Sequence, residues 1–191
     1  MFFALFTLLA LFFFAFFAFF TFFACLAGLA GLACHAAGWR RFCAAAAAVN
    51  GGYYYTPHLV KSIYASDGYV LQEVEPALKN RTIGEEASGI LAGMLEGVVR
   101  DGSGKKAYIE GYRVGGKTGT AQKYEDGHIA AGKYVSSFVG FFPADDPEYL
   151  ALVIADEPQG AYYGSVVAAP CAKEIFEGII ALKNIQPRGS E

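Results

Sequence analysis

The sequence predicts a mixed α/β (α+β) domain: an antiparallel sheet with a C-terminal helix, preceded by an apolar N-terminal helix. Three observations carry this. Strand-like stretches Tyr112–Gln122, Tyr134–Phe142 and Tyr149–Asp156 follow one another with short connections. Helical periodicity covers Glu85–Arg100 and returns from Val166 to Leu182. Residues 1 to 39 contain no Asp, Glu, Lys or Arg, so the chain divides into residues 1–42, an apolar low-complexity segment, and residues 43–191, of ordinary soluble composition.

The apolar run from Phe2 to Ala33 is long enough to cross a bilayer, which takes about 20 apolar residues. Membrane contact through residues 2–33 is therefore one reading. No basic residue precedes the run, whereas Arg40 and Arg41 follow it, which would leave the remainder cytoplasmic. The Phe/Ala/Leu alphabet, with Cys25, Cys34 and Cys43 nine apart, favours a second reading, low-complexity sequence from a shifted frame or truncated gene. A signal peptide lacks its charged start.

From Cys43 an alanine run forms a helix tail that ends at Asn50-Gly51-Gly52. Tyr53–Tyr64 and Tyr69–Val74 alternate around Ser66-Asp67-Gly68 and predict a hairpin. Thr82-Ile83-Gly84-Glu85 has the form of a capping box. The helix it opens should bury Ile90, Leu91, Met94, Leu95, Val98 and Val99, and Asp101-Gly102-Ser103-Gly104 should end it. Tyr124–Lys133 is expected as a polar loop with a turn at Asp126-Gly127. Phe138, Phe141, Phe142, Leu152 and Ile154 are expected in the core of the sheet. In the last helix, Pro170 falls in the early turns and Ile175, Ile179 and Leu182 face inward, and the tail from Asn184 frays.

The chemistry concentrates in Gly115-Gly116-Lys117-Thr118-Gly119-Thr120-Ala121-Gln122. On a strand, Lys117 and Gly119 share one face, and Thr118 and Thr120 the other. Lysine offers a point charge, threonine a short donor, and glycine room for a ligand against the backbone. That set suits a carboxylate-bearing acyl substrate. The bland alternative is a sheet edge with a turn glycine.

Context decides between them. Gly111 to Lys123 resembles the Lys-Thr-Gly box of the penicillin-binding transpeptidases, and Ser136–Ala144, Tyr149–Pro158 and Tyr162–Pro170 resemble the strands and final helix that follow it. The similarity is to class B enzymes of cell division and sporulation, C-terminal portion only. It implies a partial penicillin-binding/serine β-lactamase-like fold acting on peptidoglycan stem peptide or β-lactam, outside the cell membrane, with division or sporulation machinery as partner. It further implies that Lys117 is catalytic, holding the carboxylate and assisting proton transfer. Thr118 would hydrogen-bond that carboxylate, Gly119 leave it space, and the Thr120 N–H form half an oxyanion hole.

The family's serine nucleophile opens a buried helix as Ser-x-x-Lys. The one such string is Ser103-Gly104-Lys105-Lys106, in a glycine-rich turn that ends eleven residues before Lys117, and no Ser-x-Asn occurs. Ser103 is therefore rejected as nucleophile, and the chain is expected to be inactive alone. Two alternatives remain: a membrane-anchored, non-catalytic module binding cell-wall peptide or a division partner, and a β-lactamase or carboxypeptidase fragment. The scattered cysteines and histidines predict neither a metal site nor a cofactor. The net charge of −3 gives no reason to expect nucleic acid.

Overall fold

The structure, a computed structural model, describes residues 5–10 and 30–187. Its elements are strands β1 (Leu5–Ala10), β2 (Tyr53–Thr56), β3 (Ser62–Tyr64), β4 (Val70–Glu73), β5 (Ala77–Arg81), β6 (Gly115–Glu125), β7 (His128–Phe142) and β8 (Tyr149–Asp156), with helices α1 (Ala30–Val49), α2 (Glu85–Arg100), α3 (Gly164–Val167) and α4 (Ala169–Lys183). The main sheet runs β1-β8-β7-β6, every pair antiparallel, so β6 is an edge strand.

The mixed antiparallel fold is as the sequence predicts. The apolar helix falls largely outside the described residues. Within residues 2–33, Leu5–Ala10 is a strand against β8, and α1 begins at Ala30. Among the described residues no helix is long and apolar enough to cross a membrane.

Register assigns the two faces of the sheet, because directly paired residues project to the same side. Thr118, Phe138 and Val153 are in register, as are Lys117, Val139 and Leu152. The first face carries Phe138, Phe142, Ala151 and Val153, packed against Ala169, Ala172, Phe176 and Ile179 of α4. The second carries Phe141, Leu150 and Leu152, packed against Phe42, Cys43, Ala46 and Val49 of α1 and Ala92 of α2. The predicted core phenylalanines therefore divide by parity between two layers, with Phe141 under α1 and its neighbours under α4. Ile154 is only partly buried.

Several expectations are corrected. The hairpin after Gly52 is two nested ribbons: β3 pairs with β4 around the turn at Asp67-Gly68, and β2 pairs with β5 outside them. Pro57 and Pro76 interrupt the run on either side, since proline gives a ladder no N–H. Thr82 does not cap α2. Its hydroxyl donates to the Gly52 carbonyl at 3.1 Å, and Gly84 occupies the N-cap.

The buried face of α2 is also rotated from the predicted stripe. Ser88, Ala92 and Val99 are buried, while Ile90 and Met94 are 55% and 66% exposed. Ser88 explains the rotation: its hydroxyl donates to the Ala48 carbonyl and accepts from the Gly51 N–H, both at 2.9 Å, so this polar side points at α1.

The polar loop Tyr124–Lys133 is mostly strand. β6 and β7 continue to a two-residue turn at Asp126-Gly127, where φ is 52° and 79°. Positive φ at both positions suits the right-handed twist of the ribbon. The last helix is split at Ala168 into α3 and α4, with Pro170 in the first turn of α4. Leu182 is exposed, and Phe176 takes the inward place. Part of the expected frayed tail is held: the Tyr112 hydroxyl donates to the Ile185 carbonyl at 3.0 Å. Residues 188–191 lie outside the described residues.

Candidate functional site

The Lys-Thr-Gly stretch occupies the N-terminal half of β6, the edge strand. Its entry is fixed from two sides. Arg113, just before the strand, donates to both carboxylate oxygens of Glu96 on α2, at 2.8 and 2.7 Å, and lies 3.3 Å from Asp145. These acidic partners hold the Arg113 guanidinium pKa above its ordinary value, chiefly through the Glu96 hydrogen bond. Gly115 and Gly116 admit no larger residue: a Cβ at Gly116 would stand 2.5 Å from Phe138 and 2.7 Å from the Val139 carbonyl. The strand therefore starts in close contact with the core, then emerges.

Lys117 is exposed and shares the α1/α2 face with Gly119, as period 2 requires. Its Nζ donates to the Thr118 carbonyl at 2.9 Å. Gly119 is not open space in this structure, because a Cβ there would approach Ser137 Oγ at 2.5 Å. A hydroxyl thus lies beside the glycine, on the same face as the lysine.

Thr118 and Thr120 face the other way and have different neighbours. Thr118 Oγ1 lies 3.2 Å from Ser103 Oγ. Thr120 Oγ1 accepts the Gly164 N–H at 3.0 Å, at the start of α3. A Cβ on Gly164 would collide with the carbonyl oxygens of Gly119 and Ser137, so α3 rests directly on the backbone of the Lys-Thr-Gly strand. The loop leading into α3 is braced by Ser136 Oγ on the Tyr162 carbonyl and by Tyr162 stacked on Tyr134, ring centroids 4.2 Å apart.

The four residues singled out in the sequence are therefore contiguous on one edge, two per face. Three neighbours were not assigned to the site from the sequence: Ser103, Ser137 and Gly164. The pairing register gives Ser137, which lies opposite Gly119. Ser103 is marked only by a Ser-x-x-Lys spacing that points to a different role, and Gly164 by none, because tertiary packing alone brings them to β6.

Comparison with known proteins identifies the family of the fold. The model of the penicillin binding protein transpeptidase domain matches residues 42–177. Stage V sporulation protein D of Bacillus subtilis is 41% identical over 150 residues, 78% of this chain and 23% of the relative. A peptidoglycan D,D-transpeptidase FtsI homolog of Chlorokybus atmophyticus is 41% identical over 109 residues, covering 56% of this chain and 16% of the relative. Among solved structures, penicillin binding protein 3 of Mycobacterium tuberculosis complexed with ampicillin superposes with a TM-score of 0.66 at 27% identity, over 75% of this chain and 34% of that one. The chain thus spans less than a quarter of the length of these two curated relatives. It belongs to the penicillin-binding protein transpeptidase domain family.

Proposed function

We propose that this chain supplies the carboxylate-binding wall of a peptidoglycan D,D-transpeptidase site, without the serine that forms the acyl-enzyme. One observation carries the reading: Lys117, Thr118, Gly119 and Thr120 lie in order on an exposed edge strand whose entry is held in place by the core. Lys117 is the catalytic lysine of that wall. It attracts the carboxylate of a stem peptide or β-lactam and assists proton transfer. The Thr118 hydroxyl hydrogen-bonds the carboxylate, Gly119 adds no side chain to the space beside the lysine where Ser137 Oγ already lies, and the Thr120 N–H faces the developing oxyanion.

Ser103 is not the nucleophile in this reading. It sits in the turn after α2, with its flanking glycines against the end of that helix, rather than in the first turn of a buried helix. The chain therefore binds but does not acylate. In the family the reaction takes place outside the cytoplasmic membrane, and the similarity to stage V sporulation protein D supports a place in spore or division wall synthesis.

The test is a titration of the chain with ampicillin, followed by the amide shifts of β6. Wild-type protein should show saturable shifts centred on residues 117–120. Lys117→Met should weaken binding by about tenfold, the loss of one charge-assisted contact. Equal affinity of the two proteins overturns the assignment of Lys117.

A further inference from the structure

We propose that Ser103 is a positioning residue for the carboxylate site: its hydroxyl donates to Thr118 Oγ1 and so aims the Thr118 O–H at the bound anion. This deepens the proposed function and rests on the reading that Lys117 and Thr118 receive a carboxylate.

The starting observation is the 3.2 Å separation of the two hydroxyl oxygens, fifteen residues apart in sequence. A hydroxyl has one hydrogen to donate and two lone pairs to accept with. Either of the two could donate to the other while the site is empty. Once an anion lies beside Lys117, only one arrangement satisfies all three groups. Thr118 must donate to the anion, because an anion can only accept. It then has lone pairs facing Ser103, and Ser103 must be the donor. The result is a directed chain, Ser103 O–H to Thr118 O–H to carboxylate, in which each bond polarises the next.

For such a chain to orient Thr118, Ser103 must itself be held. The glycines on either side of it hold it. The N–H groups of Gly102 and Gly104 both donate to the Val98 carbonyl, at 3.2 and 2.9 Å. A Cβ at Gly102 would stand 2.9 Å from that same oxygen, and one at Gly104 would stand 3.2 Å from it. The turn is therefore clamped to the last turn of α2 from both sides, and the one side chain between the glycines points to β6. Arg113 and Glu96 tie α2 to the entry of the same strand, so the two hydroxyls are carried on connected supports.

The rejected reading of Ser103 as a nucleophile and the positioning role differ in outcome, since the second needs no covalent bond. The experiment is a titration of the whole 191-residue chain with ampicillin and, separately, with ampicillin methyl ester, which lacks the carboxylate. Ser103→Ala should weaken the free acid by roughly three- to tenfold, the range of one hydrogen bond. It should leave the ester unchanged, and Ser103→Thr should restore the acid. Unchanged affinity for the acid in Ser103→Ala overturns the proposal, as does an equal loss for acid and ester, which marks a merely structural effect. If wild-type protein does not prefer acid to ester, the carboxylate site itself is wrong and the role of Ser103 falls with it. If that preference is present and lost in Lys117→Met, the site stands whatever Ser103 does.

Discussion

The Gly164 N–H donates to Thr120 Oγ1 at 3.0 Å, and the Gly164 α-carbon rests on the Gly119 and Ser137 carbonyls with no room for a side chain. A helix start and a strand thus share one contact plane. Gly164→Ala should push α3 off β6 and cost about 1–3 kcal/mol of stability, the usual penalty for overpacking. Urea denaturation measures it. A change below about 0.5 kcal/mol would mean that the contact gives way freely.

Ser88 joins α2 to the end of α1 by accepting from Gly51 and donating to Ala48. It is 2% exposed, and its loss leaves a half-buried N–H and a half-buried carbonyl without that partner. Ser88→Ala should destabilise by about 1–3 kcal/mol. Ser88→Cys should be no better, since a side chain of similar size with only a weak S–H donor does not replace the hydrogen bonds. Thermal unfolding of the two variants would separate volume from hydrogen bonding.

Ile90 and Met94 look like core residues in the sequence and are surface residues in the structure. Replacing both with glutamate and lysine should change stability by no more than about 0.5 kcal/mol each. Phe176→Ala, by contrast, should cost about 3–5 kcal/mol, because Phe176 is fully buried against Phe142. Parallel denaturation curves decide whether the exposed and buried assignments are right.

These cases show which features the sequence made legible. The three C-terminal strands and their antiparallel sheet follow from local alternation, and the Lys-Thr-Gly strand from its own neighbours, whereas strand β1 at Leu5–Ala10 lies in a run whose apolar composition reads as helix. The face of α2 does not follow, because hydrophobic periodicity points to Ile90 and Met94, whereas hydrogen bonds to another helix at Ser88 decide the rotation. The pairing of β2 with β5 was hidden for a similar reason: Ala77–Arg81 is exposed throughout and carries no alternating pattern. Of the proposed site, Lys117 to Thr120 are the residues that the sequence singles out. Ser103 could not be placed beside Thr118, since only the packed turn after α2 brings it there.

The C-terminal end of β6 carries a titration that can be checked. Lys123 Nζ donates to Glu157 at 2.7 Å, and this hydrogen bond holds the Glu157 carboxyl below the usual carboxylate range. A depressed folded value means that the pair contributes stability above the ordinary carboxylate range and loses it as pH falls through the folded value. Following the Glu157 side-chain carbon by NMR should therefore show titration at lower pH than in an unfolded peptide. Lys123→Gln should move it back up. An unshifted Glu157 in the wild-type protein would contradict the pairing.

The most direct test of the central claim is one incubation with fluorescent penicillin, read before and after denaturation. A binding wall without a nucleophile predicts fluorescence bound to the native chain, reduced in Lys117→Met, and no labelled band once the protein is denatured. A band that survives denaturation and disappears in Ser103→Ala would show that this chain acylates by itself, and would contradict the account.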